Sequence, residues 1–127
     1  MDKENTFKLY FRIVGFYDVL LGGIFLLFFR SIYATLNITL PNHPGYIYVP
    51  ALFLVSGGIG EFLIANNLLR NIDLVKVRIL MKLSFASAVI YCHFRYGVPT
   101  LFLLISILSV VGIVKNIMFI RWANSAK

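Results

Sequence analysis

Four charged residues fall inside stretches that otherwise read as membrane-spanning: Asp18, Glu61, Lys82 and Lys115. Each belongs to a different apolar segment. A carboxylate in such surroundings accepts hydrogen bonds, holds a proton or faces a cation, and an ammonium group donates to an anion or a carbonyl. A charge at the centre of a spanning helix costs about 2.5–3.5 kcal/mol on insertion scales, which makes each of these residues a candidate functional group. The competing reading is structural: acids and bases neutralise one another and hold helices together. Asn66 follows Glu61 on the same segment and is expected to share part of its side.

The elements that must position these residues follow from composition. The chain has 127 residues, 60% of them hydrophobic and only 13% charged, where soluble domains carry about 25% charged residues. Apolar stretches run over roughly 10–29, 48–69, 75–94 and 98–120, each about the 20 residues that a helix needs to cross a 30 Å hydrocarbon core. Short connections around Arg70–Asp73 and Arg95–Gly97 make successive helices antiparallel neighbours. The expectation is an all-α membrane protein, a single domain folded as an antiparallel four-helix transmembrane bundle. The one long loop, roughly 30–47, holds Pro41, Pro44 and Gly45, which forbid a continuous helix there. A short helix over about 31–36 near the headgroups is expected to open it, and Asp73 is a candidate cap for the third helix.

Orientation follows from the basic residues. Lys3, Lys8, Arg12, Arg70, Lys76, Arg78, Arg121 and Lys127, eight of the twelve, lie on one side at segment ends. The positive-inside rule then puts both termini in the cytoplasm and the long loop outside, consistent with a bacterial inner-membrane protein. The apolar run after Ile13 is too long for a cleavable signal and is read as a retained span.

Depth brings the four charges together. At 1.5 Å per residue, each lies about 8–12 Å from the cytoplasmic end of its segment. Two acids and two bases thus share one layer, formally neutral. Gly15 and Gly22 lie about one turn from Asp18, and Gly57, Gly58 and Ala65 lie about one turn from Glu61. Small residues let membrane helices approach closely, so the acids are expected to face helix contacts. Ser56 and Gly60 form a further small pair. Arg78, Lys82 and Ala86 fall along one stripe of the third segment, with Val89 and His93 beyond them.

Several classes of function lack support. The net charge of +7 sits at segment ends without the interleaved aromatics of a nucleic-acid surface, so no nucleic-acid partner is expected. Cys92 is the single cysteine and reads as a small buried apolar residue; it forms no redox pair. His43 and His93 have no carboxylate placed to join them, and no metal site is expected. No nucleophile–base pair, phosphate loop or cofactor motif is visible, so the reading leans away from an enzyme and names no cofactor.

Tyr17-Asp18 with Gly22-Gly23, the loop prolines, Gly57-Gly58-Ile59-Gly60-Glu61 with Ala65, and Met81-Lys82-Leu83 resemble the DoxX-like family of small bacterial four-span membrane proteins. The fourth segment departs from that pattern, with Lys115 and no acid. The resemblance implies fold and membrane location only. The expected function is a binding or partner protein whose buried charges, Asp18, Glu61, Lys82 and Lys115 with Asn66, hold a small lipophilic or polar ligand, or a membrane partner. The alternative is an ion- or proton-coupled small-solute transporter, which at this size would work as an oligomer.

Overall fold

The computed structural model describes residues 1–126. Lys127, one of the basic residues counted above, lies outside them. Among the described residues the fold is the expected all-α one, with four helices: α1 (Lys3–Thr35), α2 (Gly45–Asn66), α3 (Ile72–Tyr96) and α4 (Thr100–Ser125). They divide between two compact units, Met1–Leu68 and Leu69–Lys127, each an antiparallel helical hairpin. Helices α1, α2 and α4 are long and apolar enough to cross a membrane, and the chain is a membrane protein. Helix α3 has 25 residues and places Arg78 and Lys82 among its apolar side chains.

The first helix is longer than the sequence suggests. It has 33 residues, about 50 Å at 1.5 Å per residue, against a hydrocarbon core of about 30 Å. No separate headgroup helix forms over 31–36. Ser31 to Thr35 contains neither proline nor glycine, so α1 runs through it. It stops where Asn37 takes a left-handed conformation, φ 53°. There Asn37 N–H donates to Ala34 O at 3.2 Å and Ile38 N–H to Tyr33 O at 2.8 Å. This paired closure satisfies the last carbonyls of a helix, and asparagine is one of the few residues that enter it readily. At the other end of the loop, Pro44 caps α2 and Gly45 begins it, so α2 starts ahead of Tyr48. Asp73 lies inside the first turn of α3, where it pairs with Lys76, and makes no cap; Asn71 holds the cap position.

The α1–α2 hairpin is closed along a seam of glycines. A Cβ at Gly58 would stand 2.7 Å from the carbonyl oxygen of Gly15 and 2.9 Å from the backbone nitrogen of Val19. A Cβ at Gly15 would stand 2.9 Å from Gly58 O, and one at Gly22 would stand 2.7 Å from Ala51 O. Backbone meets backbone, a closeness that only the missing side chains permit. Gly23 and Gly60 differ: a Cβ at either meets nothing within 4 Å. The expected small pair of Ser56 and Gly60 is therefore no part of this seam, because Ser56 is exposed and Gly60 is turned away from α1.

In the α3–α4 hairpin the register comes from two contacts. Lys82 lies over Gly112, and Ser106 Oγ donates to the Ala86 carbonyl at 3.4 Å. The buried stripes are Ile72, Val75, Arg78, Lys82 and Ala86 on α3, and Ser106, Gly112, Asn116, Phe119 and Ala123 on α4. Outward faces are largely apolar: Phe16, Leu20, Leu27 and Phe28 on α1, and Leu104, Ile107, Val111 and Val114 on α4 are exposed, Leu27 by 77%. Apolar surface on this scale is what lipid covers in a membrane protein.

The seam makes a direct test. Gly58→Ala forces α1 and α2 apart and is expected to destabilise the protein by about 1–3 kcal/mol, the usual range for overpacking. Gly60→Ala meets open space and should leave the melting temperature in detergent unchanged or slightly raised. Equal melting temperatures for the two variants would contradict the seam.

Candidate functional site

Helical periodicity delivers the acids to the interior. On α1 the buried positions are Phe11, Gly15, Asp18, Gly22 and Phe29, a 3.6-residue stripe in which Asp18 takes its turn between two glycines. On α2 they include Gly57, Gly58, Glu61, Ile64 and Ala65. Asp18 is 5% exposed and Glu61 is 0% exposed. The Cβ of Glu61 lies 3.3 Å from where a Cβ of Gly15 would stand, so Glu61 leaves α2 directly against the α1 backbone. With Gly15 set against Gly58 and Gly22 against Ala51, Asp18 lies about level with Val55. The two acids are then separated by about 9 Å, some six residues, along the hairpin axis.

The other hairpin carries the bases. Arg78 is 5% and Lys82 8% exposed, one helical turn apart on α3. Lys82 extends across to α4, where its Nζ lies 3.1 Å and its Cδ 3.4 Å from the position a Cβ of Gly112 would occupy. The missing side chain at 112 makes room for a lysine stem. Arg78 points along its own helix, with Nη1 3.8 Å from the sulfur of Met81. Asn116, 0% exposed, follows Gly112 by one turn. Glu61 Oε2 and Asn116 Nδ2 are buried atoms reached by no hydrogen bond among the described residues; both residues make other interactions.

The structure sorts the candidates of the sequence. Asp18, Glu61 and Lys82 are buried. Lys115 and Asn66 are exposed, which corrects the expectation that they belong to a buried charge network. Lys115 sits about 100° around α4 from Asn116 and so misses the inward stripe. Asn66 is the last residue of α2, beyond its buried face. Arg78 and Asn116 take buried places instead. Arg78 lies on the stripe that the sequence suggests for Lys82, although its position near a segment end points to an interfacial role. Asn116 was masked in the sequence by the charge beside it; its signal is the four-residue spacing from Gly112.

Neither histidine joins these residues. His93 Nδ1 lies 2.7 Å from the Val98 carbonyl oxygen across the α3–α4 turn, and His43 Nδ1 accepts from the Gly45 N–H at 3.0 Å. Both rings serve local turns. Among the described residues no group of three or more histidine, cysteine or acidic side chains is placed to hold a metal ion. Cys92 is half-buried, not fully buried.

Chemically, the hairpins offer two kinds of group. The α1–α2 hairpin holds carboxylates in an apolar interior, suited to accept hydrogen bonds or to face positive charge. The α3–α4 hairpin holds a guanidinium and an ammonium with the Asn116 amide near their level. No family model, curated protein or solved structure matches the chain.

Removing the Lys82 side chain tests this placement. Lys82→Ala empties the space over Gly112 and deprives neighbouring groups of a buried cation, and is expected to destabilise by at least about 2 kcal/mol. Lys115→Ala, on an exposed position, is expected to stay within about 0.5 kcal/mol of the parent protein. Thermal unfolding in the same detergent compares them, and an equal loss in both would contradict the assignment of Lys82 to the interior and Lys115 to the surface.

Proposed function

We propose that the chain is a binding or partner protein of the membrane, in which Asp18 and Glu61 hold a small lipophilic or polar ligand, or a helix of a membrane partner, through its hydrogen-bond donors or positive charge. The observation that carries this reading is the burial of Glu61 against the glycine seam, in a hairpin whose other buried acid is Asp18. A hairpin needing only to pack would place apolar residues at these two positions, since carboxylates there cost desolvation without improving the backbone fit. The resemblance to DoxX-like proteins enters as fold and location alone. In this reading all four helices cross a bacterial inner membrane, α3 beside α4.

Ligand retention tests the reading. Protein purified in mild detergent is compared by native mass spectrometry with Asp18→Asn and Glu61→Gln, which keep side-chain shape and remove charge. A small molecule or partner chain should accompany the parent protein and fall at least tenfold in both variants, at unchanged melting temperature. Retention of the same species by all three, or by none, rejects the reading. Loss of proton-driven solute flux in the variants, with nothing bound to the parent, favours the transporter instead.

The orientation has its own test. A fluorescent protein fused after residue 127 should fold and fluoresce, as it does in the cytoplasm, while a phosphatase active only outside should be inactive at that position and active in the loop near Asn42. The reverse pattern would overturn the cytoplasmic placement of the termini.

A further inference from the structure

The end of the second hairpin where α3 begins and α4 finishes is unusually rich in positive charge. Arg70, Lys76, Arg78, Lys82, Lys115 and Arg121 belong to this half of the unit, and Asp73 is its sole acid. Asp73 is already engaged by Lys76 at 2.7 Å. Arg78 and Lys82 are turned inward, whereas Lys115 and Arg121 are exposed on α4.

Lys115 is the informative member. Helix α4 is apolar enough to cross a membrane, and Arg121 followed by Trp122 marks the end of its apolar run, as basic and aromatic residues do at membrane interfaces. Lys115 lies six residues before Arg121, about 9 Å deeper at 1.5 Å per residue. Around it Val111, Val114, Ile117 and Met118 are exposed apolar side chains. An exposed ammonium at this depth, in an apolar surround, is stabilised by extending its stem along the helix until the charge reaches the headgroups. What it meets there is phosphate. A zwitterionic headgroup carries its own compensating cation; an anionic one brings uncompensated negative charge, and each basic residue near a membrane surface favours such lipids appreciably.

We propose that this end of the α3–α4 hairpin is a binding surface for anionic phospholipid, with Lys115 drawing a headgroup phosphate down toward the apolar edge and Arg121 holding its charge at the interface. The surface uses exposed residues of α4 and is independent of the ligand proposed for Asp18 and Glu61.

The test uses the full chain in nanodiscs made from equal parts of phosphatidylcholine and phosphatidylglycerol. Lipids retained by the protein after gentle transfer to detergent are counted by native mass spectrometry. Phosphatidylglycerol should be enriched in the parent protein. Lys115→Gln should lower that enrichment about fivefold, the effect of one charge near the surface; Lys115→Arg should preserve it, and Lys115→Gln with Arg121→Gln should abolish most of it. Circular dichroism confirms that each variant keeps its helices, and Lys8→Gln on α1 serves as a variant with the same change of charge at another place. Equal retention of the two lipids by the parent protein overturns the proposal. So does an equal fall in Lys8→Gln and Lys115→Gln, which would mean that net charge alone acts, and so does displacement of the lipid by inorganic phosphate at millimolar concentration, which would make the site one for the free ion.

Discussion

An ionisable side chain in a membrane helix has to be kept from hydrocarbon, and the α1–α2 hairpin meets that constraint with backbone, not with bulk. Gly15, Gly22 and Gly58 let two helices touch main chain to main chain. The closeness seals the face on which Asp18 and Glu61 lie. Larger residues at the seam would hold the helices apart and open that face. The acids, the small residues and the apolar outer surface are therefore one arrangement: each is tolerable because the others are present.

The second hairpin solves a similar problem by another route. Its bases are long, and a lysine can carry its charge some distance from the backbone that bears it. Lys82 uses this reach to cross to α4 and settle over Gly112, while Ser106 ties the two helices together through the Ala86 carbonyl. One glycine accommodates a side chain here, where three in the first hairpin accommodate a backbone. The difference follows from the residues: a short carboxylate needs its neighbour brought close, and a long ammonium needs only a space to enter.

Much of this was legible in the residues. Hydropathy and loop composition indicate four helices, and the spacing of Gly15, Asp18 and Gly22, like that of Gly58 and Glu61, identifies the inward faces. Azimuth was less legible. Lys115 and Asn116 are adjacent, and hydropathy alone does not say which one a helix turns inward; the stripe through Gly112, Phe119 and Ala123 decides for asparagine. The end of α1 was missed for a related reason. Asn37 closes the helix through its backbone conformation, and asparagine in a loop with prolines nearby gives no sign that the closure waits until that residue.

The two helices of the first hairpin are unequal in length: 33 residues in α1 and 22 in α2. At about 50 Å, α1 would have to incline by about 53° to fit wholly within a 30 Å core, beyond the 0–40° range seen for membrane helices. It therefore extends past the hydrocarbon, and its boundary with the lipid can slide by a turn while the helix stays the same. Helix α2, about 33 Å long, has no such reserve. A change in bilayer thickness is thus absorbed by α1 as a shift in which residues are wetted, and is felt by α2 as a load on its ends. Because the glycine seam locks the two together, that load becomes shear along the contact between Gly15 and Gly58, beside Glu61.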